Sequence, residues 1–309
     1  MLPAFLTTIL FSLSAVSARR TADIMGGIEA NFWRLAMAAV LLGTWAHSFG
    51  LGLRGEALPY FLLSGCVGFG VGDLALFQAL PRLGSRLTVM LVHCLAAPLA
   101  ALAEWWWLGT TLSVQKMACG AVILAGVVIA LAPGEHLQWS SKKVIQGILF
   151  GLLAACGQGG GAVISRKANQ VAVLAAQNVD GITAAYQRIL AGLALAGLFL
   201  ILVKWRGRAR MEARDPGLAG SGVLSARERW RRGGFWILLN ALAGPSLGVS
   251  CFQWALKTTP TGVVLPIVAT TPLVVIPFTL VLEGERPSRT SIVGGVIAVI
   301  GAVALASVR

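Results

Sequence analysis

The sequence predicts an all-α integral membrane protein of about ten transmembrane helices, arranged as two inverted five-helix repeats. Three observations carry that prediction. The 309 residues are 57% hydrophobic and only 12% charged, about half the charged share of a soluble domain, so the surplus apolar surface has to face lipid. Mean hydropathy is +0.79, and apolar runs of roughly 18 residues or more, each long enough to cross a hydrocarbon core, recur along the whole length. The third observation is duplication. An aromatic residue precedes an Arg at the mouth of a long apolar helix in Phe32-Trp33-Arg34-Leu35-Ala36, and again in Tyr186-Gln187-Arg188-Ile189-Leu190. Downstream, Phe77-Gln78-Ala79-Leu80 is answered by Phe252-Gln253-Trp254-Ala255-Leu256.

The spans are expected over 2–18, 31–51, 58–80, 86–108, 114–132, 146–165, 182–204, 234–256, 262–282 and 290–307. Turn residues separate them: Gly26-Gly27, Gly50 to Gly55, Pro81 to Gly84, Pro133-Gly134, Thr258 to Gly262 and Gly284 to Pro287. The first span ends in small residues, Ser14 to Ala18, like a signal peptide, but no Lys or Arg precedes it. Its close, Ala15-Val16-Ser17-Ala18-Arg19-Arg20, also has a partner in Ala162-Val163-Ile164-Ser165-Arg166-Lys167, which argues for a retained helix. The second span of each half begins with Arg34 or Arg188, and the third ends in Phe-Gln. The fourth carries Pro98 or Pro272, and the fifth is punctuated by Gly120 and Gly126 or by Gly294, Gly295 and Gly301. Trp105-Trp106-Trp107 closes the fourth span as an interfacial belt would, with Glu104 beside it. The halves are 1–133 and 145–309, joined by a polar connector at 134–144. An odd number of helices per half makes the second half enter the membrane from the opposite side, and a protein of two such halves is usually a transporter with its path between them.

The net charge of +13 raises nucleic-acid binding, but its location argues otherwise. Nine basic residues lie between Lys204 and Arg232, against the acids Glu212, Asp215 and Glu228. Eight of the nine fall in the one long loop, about 205–233, and Lys204 borders it; the Gly217-Leu218-Ala219-Gly220-Ser221-Gly222 centre reads as flexible. The reading is a solvated loop held against anionic lipid headgroups, with no nucleic-acid partner. The five cysteines, Cys66, Cys94, Cys119, Cys156 and Cys251, all sit in apolar runs without a CxxC pair, so neither a disulfide framework nor a metal site is expected.

The aromatic-Arg start of the second helix, the duplication and the closing run Thr271-Pro272-Leu273, Leu282-Glu283-Gly284-Glu285-Arg286-Pro287-Ser288 and Gly294-Gly295-Val296-Ile297-Ala298-Val299-Ile300-Gly301 resemble the EamA-type branch of the drug/metabolite transporter superfamily. The resemblance covers nearly the whole chain, most clearly 252–305 and 31–42. It implies a secondary permease of the cell (inner) membrane, often an exporter of amino acids, other metabolites or toxic compounds, without ATP use or another cofactor. The chain departs from the pattern in two places. The acid that ends the fourth helix is present as Glu285, but the equivalent stretch of the first half, Leu108-Gly109-Thr110-Thr111-Leu112-Ser113, lacks it. The second concerns orientation. With alternating sides, the loops after spans 1, 3, 5, 7 and 9 carry 17 Lys and Arg, against 6 on the other side. The positive-inside rule then puts the long loop in the cytoplasm and both termini outside, whereas the resemblance implies termini inside. Without the long loop the balance is 8 against 6.

Ionisable groups inside a span are expensive and tend to face a cavity. Asp73 is the sharpest, mid-way along the third span behind Gly65, Gly68, Gly70 and Gly72, glycines whose spacing permits close helix contact. It either hydrogen-bonds a neighbouring helix or serves transport, binding an amino or cationic group of the substrate or exchanging a proton. His93, in the fourth span, is either a satisfied bundle histidine or a proton-relay partner of Asp73. Metal ligation is disfavoured, because His47 and His136 lie near span ends or loops. Arg34 and Arg188 are either snorkelling anchors or contacts to structure or to a substrate carboxylate. Gln78, Gln253 and Gln158 are uncharged polar residues within spans. Gln158 opens Gly157-Gln158-Gly159-Gly160-Gly161, which lacks the Gly-Lys-Ser/Thr ending of a phosphate loop and reads as close packing or as an unwound piece of the sixth span.

These residues point to a transporter of a small organic metabolite working by alternating access, outward and coupled to protons, with Asp73, His93, Gln158, Arg34, Arg188, Gln78 and Gln253 on the substrate or proton pathway. The rivals are a membrane scaffold or receptor that docks a partner on the 205–233 loop, and a lipid-handling membrane enzyme. An enzyme would need a convergent nucleophile, base or metal set, and the chain has no HExxH, nucleophile elbow or CxxC. Nothing in the sequence sets the oligomeric state.

Overall fold

A computed structural model describes residues 2–108, 113–131, 142–212, 225–258, 261–284 and 287–307. These residues form helices throughout, with no strand among them. The stretch 109–112, the connector residues 134–141, the loop centre Gly217 to Gly222 and Glu285 lie outside the described residues, as does the side chain of Glu104.

The chain opens with α1 (Leu2–Met25) and α2 (Gly27–Ser48). Gly26 joins them at φ 83°, ψ 144°, a backbone conformation essentially reserved for glycine. α3 (Leu58–Gly65) runs straight into a π-helical segment, Cys66–Gly72, and on into α4 (Asp73–Leu108). The apolar run Leu58–Trp107 is 50 residues long, about 75 Å if straight and more than twice the hydrocarbon thickness. It is two rods, because Gly84 breaks α4 at φ 82°, ψ 163°. Then come α5 (Val114–Leu131), α6 (Lys142–Leu174) and α7 (Gly181–Glu212). α8 (Ala226–Ala241) leads into a second π-helical segment, Leu242–Gly248, and α9 (Val249–Thr258) follows it. The chain closes with α10 (Thr261–Val268), α11 (Thr271–Leu282) and α12 (Arg289–Ser307).

Among the described residues five stretches are long and apolar enough to cross a membrane: Leu2–Met25, Leu58–Trp107, Lys142–Leu174, Gly181–Arg206 and Arg227–Lys257. The distribution of side chains agrees with a lipid solvent. Large apolar residues such as Val40, Leu149, Ile201, Phe235, Ile300 and Trp106 (86% exposed) point outward, while Thr7, Ser12, Ser64, Ser165 and Asn240 are buried. In water such an apolar exterior would aggregate; in lipid it is the solvated face, and the polar groups gather where other helices satisfy them.

Helices of the first half of the chain pack mainly on helices of the second. α2 lies on α7, α5 on α12, α1 on α8 and α11, and α3 with α4 on α6. The α5–α12 seam is close enough that a Cβ on Gly126 would lie 2.4 Å from the Ala298 nitrogen, and one on Gly294 2.4 Å from the Ala130 nitrogen. Polar bonds pin other seams. The Ser64 hydroxyl donates to the Gly161 carbonyl (2.7 Å) and bonds Ser165 (2.8 Å), and Ser14 donates to the side-chain oxygen of Asn240 (2.8 Å).

Several expected boundaries are corrected. α1 runs past residue 18 because its two arginines are held by the C-terminal end of α11. Arg19 pairs with Glu283 at 3.0 Å, and Arg20 donates to the Leu282 carbonyl while stacking over Trp236. The basic loop is shorter than 205–233, since α7 continues to Glu212 and α8 starts at Ala226. Ser225 caps α8 by accepting from the Glu228 N–H, a Ser-x-x-Glu start signal. Both ends of that loop return to Glu29, which pairs with Lys204 (3.7 Å) and Arg229 (3.1 Å). The ninth span, expected whole at 262–282, is broken between α10 and α11. Pro272 has no N–H to continue a helix, and the Val268 carbonyl takes the Thr271 hydroxyl instead. The Ile267 carbonyl accepts from the Thr270 N–H (3.0 Å) and hydroxyl (2.7 Å), and α1 packs on the break, with the Thr8 and Ser12 hydroxyls 3.3 and 3.5 Å from the Ile267 and Thr271 carbonyls. Finally, Gly157 to Gly161 stay helical inside α6, so of the two readings of that run close packing holds and unwinding does not.

Candidate functional site

The two π-helical segments occupy matching places, each in the third long rod of its half and each a few residues before the repeated Phe-Gln. A π turn carries an extra residue and shifts the side chains that follow it, and such turns concentrate at functional sites. Asp73 is the first residue after the first segment; the corresponding place after the second holds Val249.

Arg34 and Arg188 each lie against the π segment of the other half. Gly68 leaves room for Arg188, whose Nη2 would be 3.0 Å from a Cβ there, and Gly244 does the same for Arg34, whose Nη1 would be 3.2 Å away. Arg34 and Arg188 are only 4% and 5% exposed, so neither snorkels to the membrane surface. Their partners differ. Arg34 reaches from α2 to hydrogen-bond the Asp73 carboxylate, donates from Nε to Asn31 Oδ1 (3.1 Å) and stacks over Phe77 at 4.7 Å. Arg188 stacks over Phe69 at 5.1 Å, and its buried Nε has no hydrogen-bond partner among the described residues.

Between these elements lies a cavity of about 80 Å³ lined by Asp73, His93, Gln158 and Arg188, with Phe11, Phe69 and Phe252 among its apolar walls. His93 stacks on Phe11 at 5.6 Å and 17°, leaving Nδ1 unpartnered, and Gln158 Nε2 is likewise buried and unpartnered. Gly72 and Gly157 touch across the cavity edge, where a Cβ on Gly157 would lie 2.5 Å from the Gly72 Cα. Thus four of the seven expected residues line one chamber, and Arg34 joins it through Asp73. The other two do not reach it. Gln78 accepts from Arg82 (3.1 Å), and Gln253 is buried beside Phe252 with neither amide atom partnered. Sequence reasoning missed Asn31, Phe69 and Phe77, which hold the arginines; Asn31 stands one turn before Arg34, a spacing that was legible. Among the described residues no group of three His, Cys, Asp or Glu is placed to hold a metal.

An apolar helical bundle with a buried, charged chamber at its centre is a multi-pass membrane protein built to admit something polar. Its sequence identifies the family. The profile of the EamA-like transporter family matches residues 1–132 and again 145–307, and the chain belongs to that family. It is therefore a membrane transporter of small substrates. A crystal structure described only as that of a protein has the same fold, with a TM-score of 0.63 at 19% identity over 98% of this chain and 94% of its own. No curated protein matches the sequence.

Proposed function

We propose that this chain is a secondary transporter of the cell (inner) membrane that moves a small organic metabolite outward by alternating access, coupled to protons at Asp73. It works as about ten helices in two inverted five-helix repeats, 1–133 and 145–309. The observation that carries the reading is the reciprocal placement of the arginines, Arg188 against Gly68 and Arg34 against Gly244, with the cavity between them. The pairing of α2 with α7, α5 with α12, and α1–α8 with α3–α6 supports a two-fold relation between the halves, and so does the double match of one family profile. A site at such an interface is opened to either side by rocking one half against the other. Asp73 is the group suited to carry the proton, since protonation releases the Arg34 guanidinium it holds. His93, in the same cavity, is placed to pass that proton on.

The test compares small molecules inside and outside cells that express wild type or Asp73→Asn at matched levels. A compound that accumulates outside only with wild type supports export through the Asp73 site. Identical profiles for both and for an empty vector count against the reading.

A further inference from the structure

Resting on the transporter reading, we infer that the central cavity takes a small organic anion, a carboxylate, with Arg188 as its anchor, and that a proton at Asp73 strengthens its binding. Besides His93, the ionisable side chains at the cavity are Asp73 and Arg188, which line it, and Arg34, which joins it through Asp73. The Arg34–Asp73 pair is closed and internally neutral. Among the described residues Arg188 has no ion pair of its own and only the Asp73 carboxylate, already bonded to Arg34, acts on its charge; a buried cation so placed favours a further counter-charge. Its planar fork matches a carboxylate in a two-point contact.

The remaining polar atoms agree. Arg188 Nε and Gln158 Nε2 are unpartnered donors, and His93 Nδ1 is unpartnered too. The Ser14 hydroxyl is already committed to Asn240, and the Asp73 carboxylate to Arg34. A chamber with spare donors and a committed acceptor suits an acceptor-rich ligand, and it disfavours an amine, which would have to pull Asp73 from Arg34. The sequence alone left both options open. Phe11, Phe69 and Phe252 offer an apolar surface to the rest of the molecule.

The sign of the proton linkage follows. The groups facing Asp73 are Arg34 from α2, Arg188 from α7 and His93 farther along α4; α1, α6, the second π segment and α9 present only uncharged residues, namely Ser14, Gln158, Gly244 and Phe252. A ligand carboxylate on Arg188 shares a cavity of about 80 Å³ with Asp73, and two like charges there repel. Protonating Asp73 removes the repulsion, so proton and anion bind cooperatively, as in a symporter. Outward flow is then driven by the anion's own gradient.

The experiment measures thermal stability of the purified full chain in detergent with straight-chain carboxylates of about two to eight carbons, beside amines and primary amides of equal length. Carboxylates raise Tm and the other two series do not, and apparent affinity is about tenfold higher at pH 6 than at pH 8, up to one proton per anion. Arg188→Gln abolishes the effect and Arg188→Lys keeps part of it. Should Arg188→Gln fail to fold, Asp73→Asn carries the test, binding carboxylates tightly at both pH values. Stabilisation by amines or amides equal to that by carboxylates overturns the inference, as does no carboxylate effect or weaker binding at pH 6. A neutral or cationic compound exported in the cell assay would leave the transporter standing and remove only the anion.

Discussion

Arg34 and Asp73, 39 positions apart, form a buried ion pair in which the carboxylate belongs to the residue that ends a π turn and the guanidinium is steered by Asn31. The equivalent arginine, Arg188, faces the same cavity without such a pair among the described residues. The repeat is thus symmetric in its cations and asymmetric in its anion.

Removing one member of a buried pair strands the other. Arg34→Met should destabilise the protein by about 3–5 kcal/mol, whereas Arg34→Met combined with Asp73→Leu should recover most of the loss. Thermal unfolding in detergent compares the three. A double variant as unstable as the single one would mean that the pair is not the source of the effect.

Close contact between α6 and the first π segment makes neighbouring glycines unequal. Gly157→Ala drives a methyl to 2.5 Å from the Gly72 Cα, while Gly160→Ala meets only a Val67 methyl at 3.4 Å. Gly157→Ala should lose about 1–3 kcal/mol to overpacking, and Gly160→Ala should be neutral or slightly stabilising, since Ala is the better helix former. Equal unfolding temperatures would contradict the packing described.

Gly84 breaks α4 at φ 82°, ψ 163°, where a Cβ is strained. Gly84→Ala should cost about 1–3 kcal/mol and lower the yield of folded protein in membranes. Ala at Gly120, where the nearest atom to a new Cβ is Pro98 Cβ at 3.8 Å, is the matched control, and the ratio of monodisperse protein recovered from the two is the readout.

The count of basic residues predicts that the 213–224 stretch lies in the cytoplasm. In a background where the five cysteines are replaced, Ser221→Cys should resist an impermeant maleimide in intact cells and react once they are opened. Labelling of intact cells would instead put the termini in the cytoplasm.

Much of this was legible in the residues. Span positions followed from hydropathy because a bilayer imposes length and apolarity on any crossing segment. Asp73, Arg34 and Arg188 stood out because charge inside such a segment is costly. The Ser225-to-Glu228 cap was equally readable, yet a dense run of arginines suggested a loop instead. The π segments were not readable. Cys66–Gly72 and Leu242–Gly248 differ from ordinary helix in hydrogen-bond register, and nothing in the residue types distinguishes the two.

The sequence by itself determined that the chain crosses a membrane, that it repeats, and which few side chains could bear charge inside it, since these depend on composition and on spacing along a single helix. Only the tertiary structure decided that Asp73 belongs to Arg34, that Gln158 and His93 share a chamber with Arg188, and that Gln78 and Gln253 do not. Those outcomes depend on how helices far apart in the chain are rotated and pressed together, through contacts such as Gly157 on Gly72. A pattern of residue types carries no record of them.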